Sequence, residues 1–156
     1  MIKNSQFEVL LSAFILIAIS APLSARNVSV TVQAAKITEI AIQEKRLPVE
    51  TILMFGRDAV PPGGEPLRTV EVTAKTWMTT KDVGVRLTDA EACERAAVEA
   101  VGKLSGKADS GPNIAIGRIV SQWQEGVEFS NPAQIECRAG SNSVGVGLRA
   151  TVFRVR

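Results

Sequence analysis

The chain has 156 residues, 18 of them basic and 16 acidic, for a formal net charge of +2. Hydrophobic residues make up 46% and charged residues 22%, a globular composition that excludes wholesale disorder. The balanced charge argues against nucleic acid or an anionic membrane as partner, and the absence of histidine and tyrosine excludes Ser-His and Cys-His catalysis, histidine metal sites and a tyrosine general acid.

Residues 1–25 have the layout of a signal peptide. Lys3 supplies the early charge, Val9 to Ile19 are apolar apart from Ser12, Pro22 breaks the helix, and Ser24 and Ala25 are small. The apolar run is about 11 residues, short of the roughly 20 that span a bilayer. Cleavage is expected after Ala25, leaving Arg26 as the new terminus and no stable membrane span. The alternative is a retained N-terminal anchor. No cysteine lies near the cut, so acylation there is not available. About 130 residues remain, enough for one core without a metal. Residues 26–48 are expected as an N-terminal arm or short helix, and 49–156 as one α+β domain.

Asn27 to Gln33 alternates like a strand, or forms a loose arm. Ala34 to Arg46 places Ile37, Ile40 and Ala41 at helical spacing. Val49 to Phe55 is an apolar run, expected as a buried strand. Gly56 to Pro66 holds Pro61, Pro62, Gly63, Gly64 and Pro66, which marks a loop. Leu67 to Thr79 alternates again, with Val70, Val72 and Ala74 on one side and Thr69, Glu71, Thr73 and Lys75 on the other.

Thr88-Asp89-Ala90-Glu91 matches the capping box and predicts a helix start. Asp89 and Glu91 also suit the positive end of the helix dipole. Cys93, Ala96, Ala97, Ala100, Val101 and Leu104 fall on one stripe, and Gly106 is the expected stop. The stripe is mostly alanine, so the helix can lie close to what it covers. Asn113 to Trp123 reads as a strand with a bulge at Gly117. Ser130-Asn131-Pro132 reads as a turn. Ala133 to Ala139 alternates, with Ile135 and Cys137 on the side away from Gln134, Glu136 and Arg138. Val144, Val146, Leu148, Ala150 and Val152 form one face of a closing strand. The predicted fold class is α+β: one main helix packed on a small, mostly antiparallel sheet.

The two cysteines carry the strongest inference. Cys93 lies on the apolar stripe of the helix and Cys137 on the apolar face of a strand. Both faces must be buried, and they bury against each other. A disulfide Cys93–Cys137 follows for a chain that reaches an oxidising compartment. A redox pair is the alternative, but redox dithiols usually sit close in sequence and partly exposed. Two cysteines without histidine do not complete a zinc site alone.

Asp89-Ala90-Glu91-Ala92-Cys93, Gly111-Pro112-Asn113-Ile114-Ala115-Ile116, Ile135-Glu136-Cys137-Arg138-Ala139-Gly140 and Val144-Gly145-Val146, with Phe55-Gly56 before the Pro/Gly loop, form a pattern over about residues 50–156. It resembles a family of small exported proteobacterial proteins of unknown biochemical activity, often labelled "excinuclease ATPase subunit". More remotely it is similar to the periplasmic domain of the Rcs outer-membrane stress-sensor lipoprotein and to YbjQ-type domains, which combine a small sheet with a packed helix. The chain lacks the acylated cysteine of that sensor, so lipid anchoring and the sensor role do not carry over. The label itself fails on chemistry. No Gly-x-x-x-x-Gly-Lys-Ser/Thr string is present, and an exported chain has no cytosolic nucleotide supply. ATPase activity and DNA repair are therefore excluded.

The remaining candidates are few. Gly140, Gly145 and Gly147 can be read as a phosphate cradle, or more simply as the side of a strand under a close-packed helix. Glu125 with Glu128, or Asp82 with Asp89, are possible acid/base pairs, against the default of solvated surface carboxylates. Trp77 and Trp123, each near a strand end beside polar residues, are candidates for a partner-binding patch or for lids on the sheet edges. The expectation is a periplasmic or secreted, non-enzymatic domain that binds an envelope protein or other periplasmic component and needs no cofactor or metal. The alternatives are a small hydrolase using Asp, Glu, Lys or Ser, or a small-ligand or metal-binding module.

Overall fold

In a computed structural model of the chain, residues 26–79, 84–124 and 126–156 are described. The expected signal peptide, 1–25, lies outside them, as do Asp82 and Glu125. The elements are β1 (Val28–Gln33), α1 (Ala34–Gln43), β2 (Ile52–Phe55), β3 (Glu65–Trp77), α2 (Asp89–Ala108), β4 (Ile114–Gln124), β5 (Val127–Phe129), β6 (Gln134–Ala139) and β7 (Ser143–Arg154). Among the described residues the seven strands form one sheet, antiparallel except where β2 runs parallel to β4. The fold is the α+β arrangement that the alternation and the helical stripe predict.

β7 is the hub of this sheet. One edge carries β3 along its whole length, from Glu65 opposite Arg154 to Trp77 opposite Ser143. The other edge is shared. β4 takes residues 148–154, and β6 takes the end near the turn, with Ala139 opposite Val144. β1 adds to β6, so that Val30 stands opposite Cys137 and Val32 opposite Ile135.

α2 begins where the capping box places it. The Glu91 N–H donates to Thr88 Oγ1 at 3.2 Å, and the Thr88 N–H donates to Glu91 Oε2 at 2.8 Å. Bonds donated to the Glu91 carboxylate, first from the Thr88 backbone N–H and then from its hydroxyl at 3.0 Å, hold that carboxyl below the usual glutamate range. Cys93, Ala96, Ala97, Ala100, Val101 and Leu104 are all fully buried. They pack on Val70, Val72 and Ala74 of β3 and on Val144, Val146, Leu148, Ala150 and Val152 of β7. The Cys93–Cys137 disulfide crosses this helix–sheet interface with a Cα–Cα separation of 5.7 Å.

β1 and α1 share the same core. The chain passes directly from β1 into α1, whose Ala34, Ile37 and Ala41 are buried. Ile40, expected on that stripe, is only half-buried. The helix closes early because Lys45 turns left-handed (φ 57°) and the N–H groups of Arg46 and Leu47 both return to the Ala41 carbonyl.

Several expectations are corrected. The run ending at Phe55 is not buried: Val49 lies outside β2, and Ile52 is 46% exposed, because β2 is an edge strand beyond β4. The Pro/Gly loop ends earlier than expected, and Pro66 lies inside β3 opposite Phe153. An edge strand tolerates proline because one N–H side faces away from the ladder. Gly106 does not stop α2. The helix continues until Ala108 is buried, and the left-handed cap falls on Asp109 (φ 51°).

The bulge near Gly117 forms, with a register shift between Gly117 and Val120. Its left-handed residue is Arg118 (φ 51°). Gly117 is required for close approach: a Cβ there would stand 2.7 Å from the Ala59 carbonyl oxygen and 2.9 Å from the Phe153 ring.

Candidate binding face

The sheet's second face, away from α2, carries the odd-numbered residues of β3 and β7. Strand alternation therefore puts Thr73, Lys75 and Trp77 beside Gly145 and Gly147, since Thr73 pairs with Gly147 and Lys75 with Gly145. This corrects the expectation that these glycines lie under the helix. They form a floor without side chains on the opposite face, and the end of β4 crosses it. A Cβ on Gly147 would collide with the Gln122 carbonyl oxygen, and one on Gly145 would lie 3.8 Å from the Trp123 ring. The same crossing buries Glu136, which alternation alone had placed on an outward side; its N–H donates to Ser121 Oγ at 3.0 Å. The glycines are no phosphate cradle, since the Gly140 N–H is spent on the Ser143 carbonyl in the β6–β7 turn.

This geometry brings the two tryptophans to one end of one face. Trp77, the last residue of β3, is 62% exposed. Lys75 Nζ lies 4.5 Å from the centre of its ring. Trp123 is half-buried on the glycine floor, directly above the cross-strand partner of Lys75. The Arg138 guanidinium lies 6.0 Å from the Trp123 ring and is ion-paired with Glu136 at 2.7 Å. Lys75 thus stands between the two aromatic residues, and Arg138 flanks the second.

An open groove of about 430 Å³ runs beside Trp123, lined by Glu71, Thr73, Gln122, Gln124 and Gly147. The indole N–H of Trp123 and the side-chain oxygen of Gln122 are buried there without a hydrogen-bond partner among the described residues. The roles of Lys75, Gln122 and Arg138 were not legible from composition. The Lys75-x-Trp77 spacing on a strand was the available signal, since residues two apart share a face.

The carboxylates are arranged differently. Glu128 is held by Arg149 at 2.6 Å and Arg57 at 3.2 Å, and Asp89 pairs with Arg26. In the groove between α1 and α2, Glu44, Glu94 and Glu99 pair separately with Arg46, Lys36 and Lys103. Among the described residues no group of three Cys, Asp or Glu is placed to hold a metal ion, and no helix is long and apolar enough to cross a membrane. No family model, curated protein or solved structure matches the chain.

Proposed function

We propose that the protein is an exported, non-enzymatic domain, stapled by its disulfide, that binds another component of the cell envelope through the end of the sheet bearing Trp77 and Trp123. The exposure of Trp77 carries this proposal. A large aromatic ring left 62% accessible at a strand end, beside a second tryptophan and two cations, is the kind of surface that anchors protein contacts. The buried disulfide supports an oxidising compartment, and the layout of residues 1–25 supports export. The family resemblance adds an exported setting but no activity.

Photo-crosslinking in intact envelopes tests the proposal. A crosslinking residue at position 77 is expected to capture one defined partner, and one at Glu39, on the exposed side of α1, is not. Equal capture from both positions, or recovery of the chain in the cytosol with residues 1–25 uncut and both thiols free, overturns it.

A further inference from the structure

Beyond the tryptophans, the other end of the second face holds a concavity lined by three arginines and one carboxylate. Arg149 Nη1 lies 2.6 Å from Glu128 Oε1, and Arg57 Nη2 lies 3.2 Å from Glu128 Oε2, so each oxygen is taken by a different guanidinium. The Glu128 side chain is only 14% exposed. The third arginine, Arg118, has no ion pair among the described residues. Its guanidinium is 5.8 Å from the Phe153 ring, and its backbone is held left-handed in the β4 bulge, where its N–H donates to the Ala59 carbonyl at 2.8 Å. Strained non-glycine backbone of this kind persists only where the surroundings impose it and is frequent at ligand clamps. The three arginines, Glu128 and the cross-strand pair Thr69 and Thr151 line a concavity of about 160 Å³.

Charge and chemistry select the ligand. Among the residues lining the concavity three are cations and one is an anion, an excess of two positive charges; Glu71, opposite Arg149 on β3, lines the groove beside Trp123 instead. The carboxylate seat is already occupied by Glu128. Each guanidinium has five N–H donors and spends only some of them on that carboxylate. Two threonine side chains complete the rim. A group with several acceptor oxygens and about two negative charges fits this remainder, whereas a carboxylate leaves one cation uncompensated. We propose that the pocket formed by Arg57, Arg118, Arg149, Thr69 and Thr151 binds a phosphate group, as inorganic phosphate or as a phosphate monoester. The site is distinct from the tryptophan-bearing end and does not depend on the binding role proposed for it.

The test is titration of the full chain with inorganic phosphate, glycerol 1-phosphate and acetate at low ionic strength, followed by calorimetry or amide chemical shifts. Saturable binding of a phosphate compound, at least tenfold tighter than acetate, is expected. Tighter binding of the ester than of inorganic phosphate assigns the site to phosphate esters; equal binding assigns it to the phosphate group alone. Arg118→Asn keeps the fold, because asparagine tolerates left-handed backbone, and is expected to weaken binding at least tenfold with an unchanged melting temperature. Arg149→Gln weakens it similarly. Lys36→Gln removes one positive charge from the exposed side of α1, remote from the pocket, and leaves affinity unchanged. Non-saturable binding, acetate binding as tightly as phosphate, or equal losses in Lys36→Gln and Arg118→Asn would overturn the proposal.

Discussion

Lys107 Nζ donates to the backbone carbonyl of Glu71 at 2.8 Å. One helical turn earlier, Lys103 Nζ does the same to the carbonyl of Thr73 at 3.1 Å. β3 has β7 on one side and, among the described residues, no strand on the other. The two lysines of α2 therefore reach over an open sheet edge and occupy its acceptors, which blunts the edge against strand addition. Replacing both with alanine is expected to expose that edge. Sedimentation velocity on the K103A/K107A variant then shows a mass that rises with concentration, while the parent chain at equal concentration does not. Identical profiles for the two chains argue that the edge is protected by something else.

The disulfide closes a loop across a sequence separation of 44. The chain-entropy model assigns such a tie about 4 kcal/mol. The double variant C93A/C137A should unfold in denaturant with a stability lower by roughly that amount, and reducing agent should lower the parent chain similarly. A loss below about 1 kcal/mol would place the stability in the alanine-rich interface rather than in the covalent tie.

The two glycines of the floor differ in what they tolerate. At Gly147 an added methyl meets the Gln122 carbonyl, which is backbone and cannot swing aside. Gly147→Ala is expected to cost about 1–3 kcal/mol by overpacking. At Gly145 the nearest atoms are at ordinary contact distance, 3.7 and 3.8 Å. Gly145→Ala should stay within about 0.5 kcal/mol of the parent. Denaturant midpoints of the two single variants decide the matter, and a reversed order would mean that β4 does not cross where described.

Acid should weaken the start of α2. Glu91 titrates below its usual range in the folded chain because Thr88 bonds to the charged form. Its contribution is therefore complete above the unfolded glutamate value of about 4.3 and is lost as pH falls through the lower, folded value. Thr88→Ala removes the cap and is expected to cost about 1 kcal/mol at neutral pH. Thermal melts should show this gap narrowing once the pH drops below the glutamate range. A gap of constant size would mean that the carboxylate is not part of the cap.

Local patterns were readable and long-range coverage was not. Thr88 and Glu91 interact within one helical turn, so their residue types alone identify the helix start. Alternation fixed Val70, Val72 and Ala74 as the inner side of β3, and two apolar faces needing cover brought Cys93 to Cys137. By contrast, the exposure of Ile52 depends on β2 ending the sheet, which no property of that segment announces. Gly106 looked like a stop because glycine favours helix ends, yet burial of Ala108 extended the helix past it. Trp77 and Trp123 were identifiable as unusual side chains. Their common location follows from the β3–β7 register and the crossing of β4 over Gly145 and Gly147, both set by distant segments. The arginine cluster is drawn from β4, β7, β5 and the segment after β2, so no spacing in the sequence reveals it.

β7 pairs with β3, β4 and β6, and it is the last strand in chain order. Among the described residues β3 pairs with no strand but β7, and β1 with none but β6, so the sheet is incomplete until residues 134–154 are in place. Assembly is consequently governed by contacts between distant parts of the chain, which is slow compared with helix formation. Docking of α2 on the assembled sheet is what holds Cys93 and Cys137 at the 5.7 Å Cα separation that a disulfide requires.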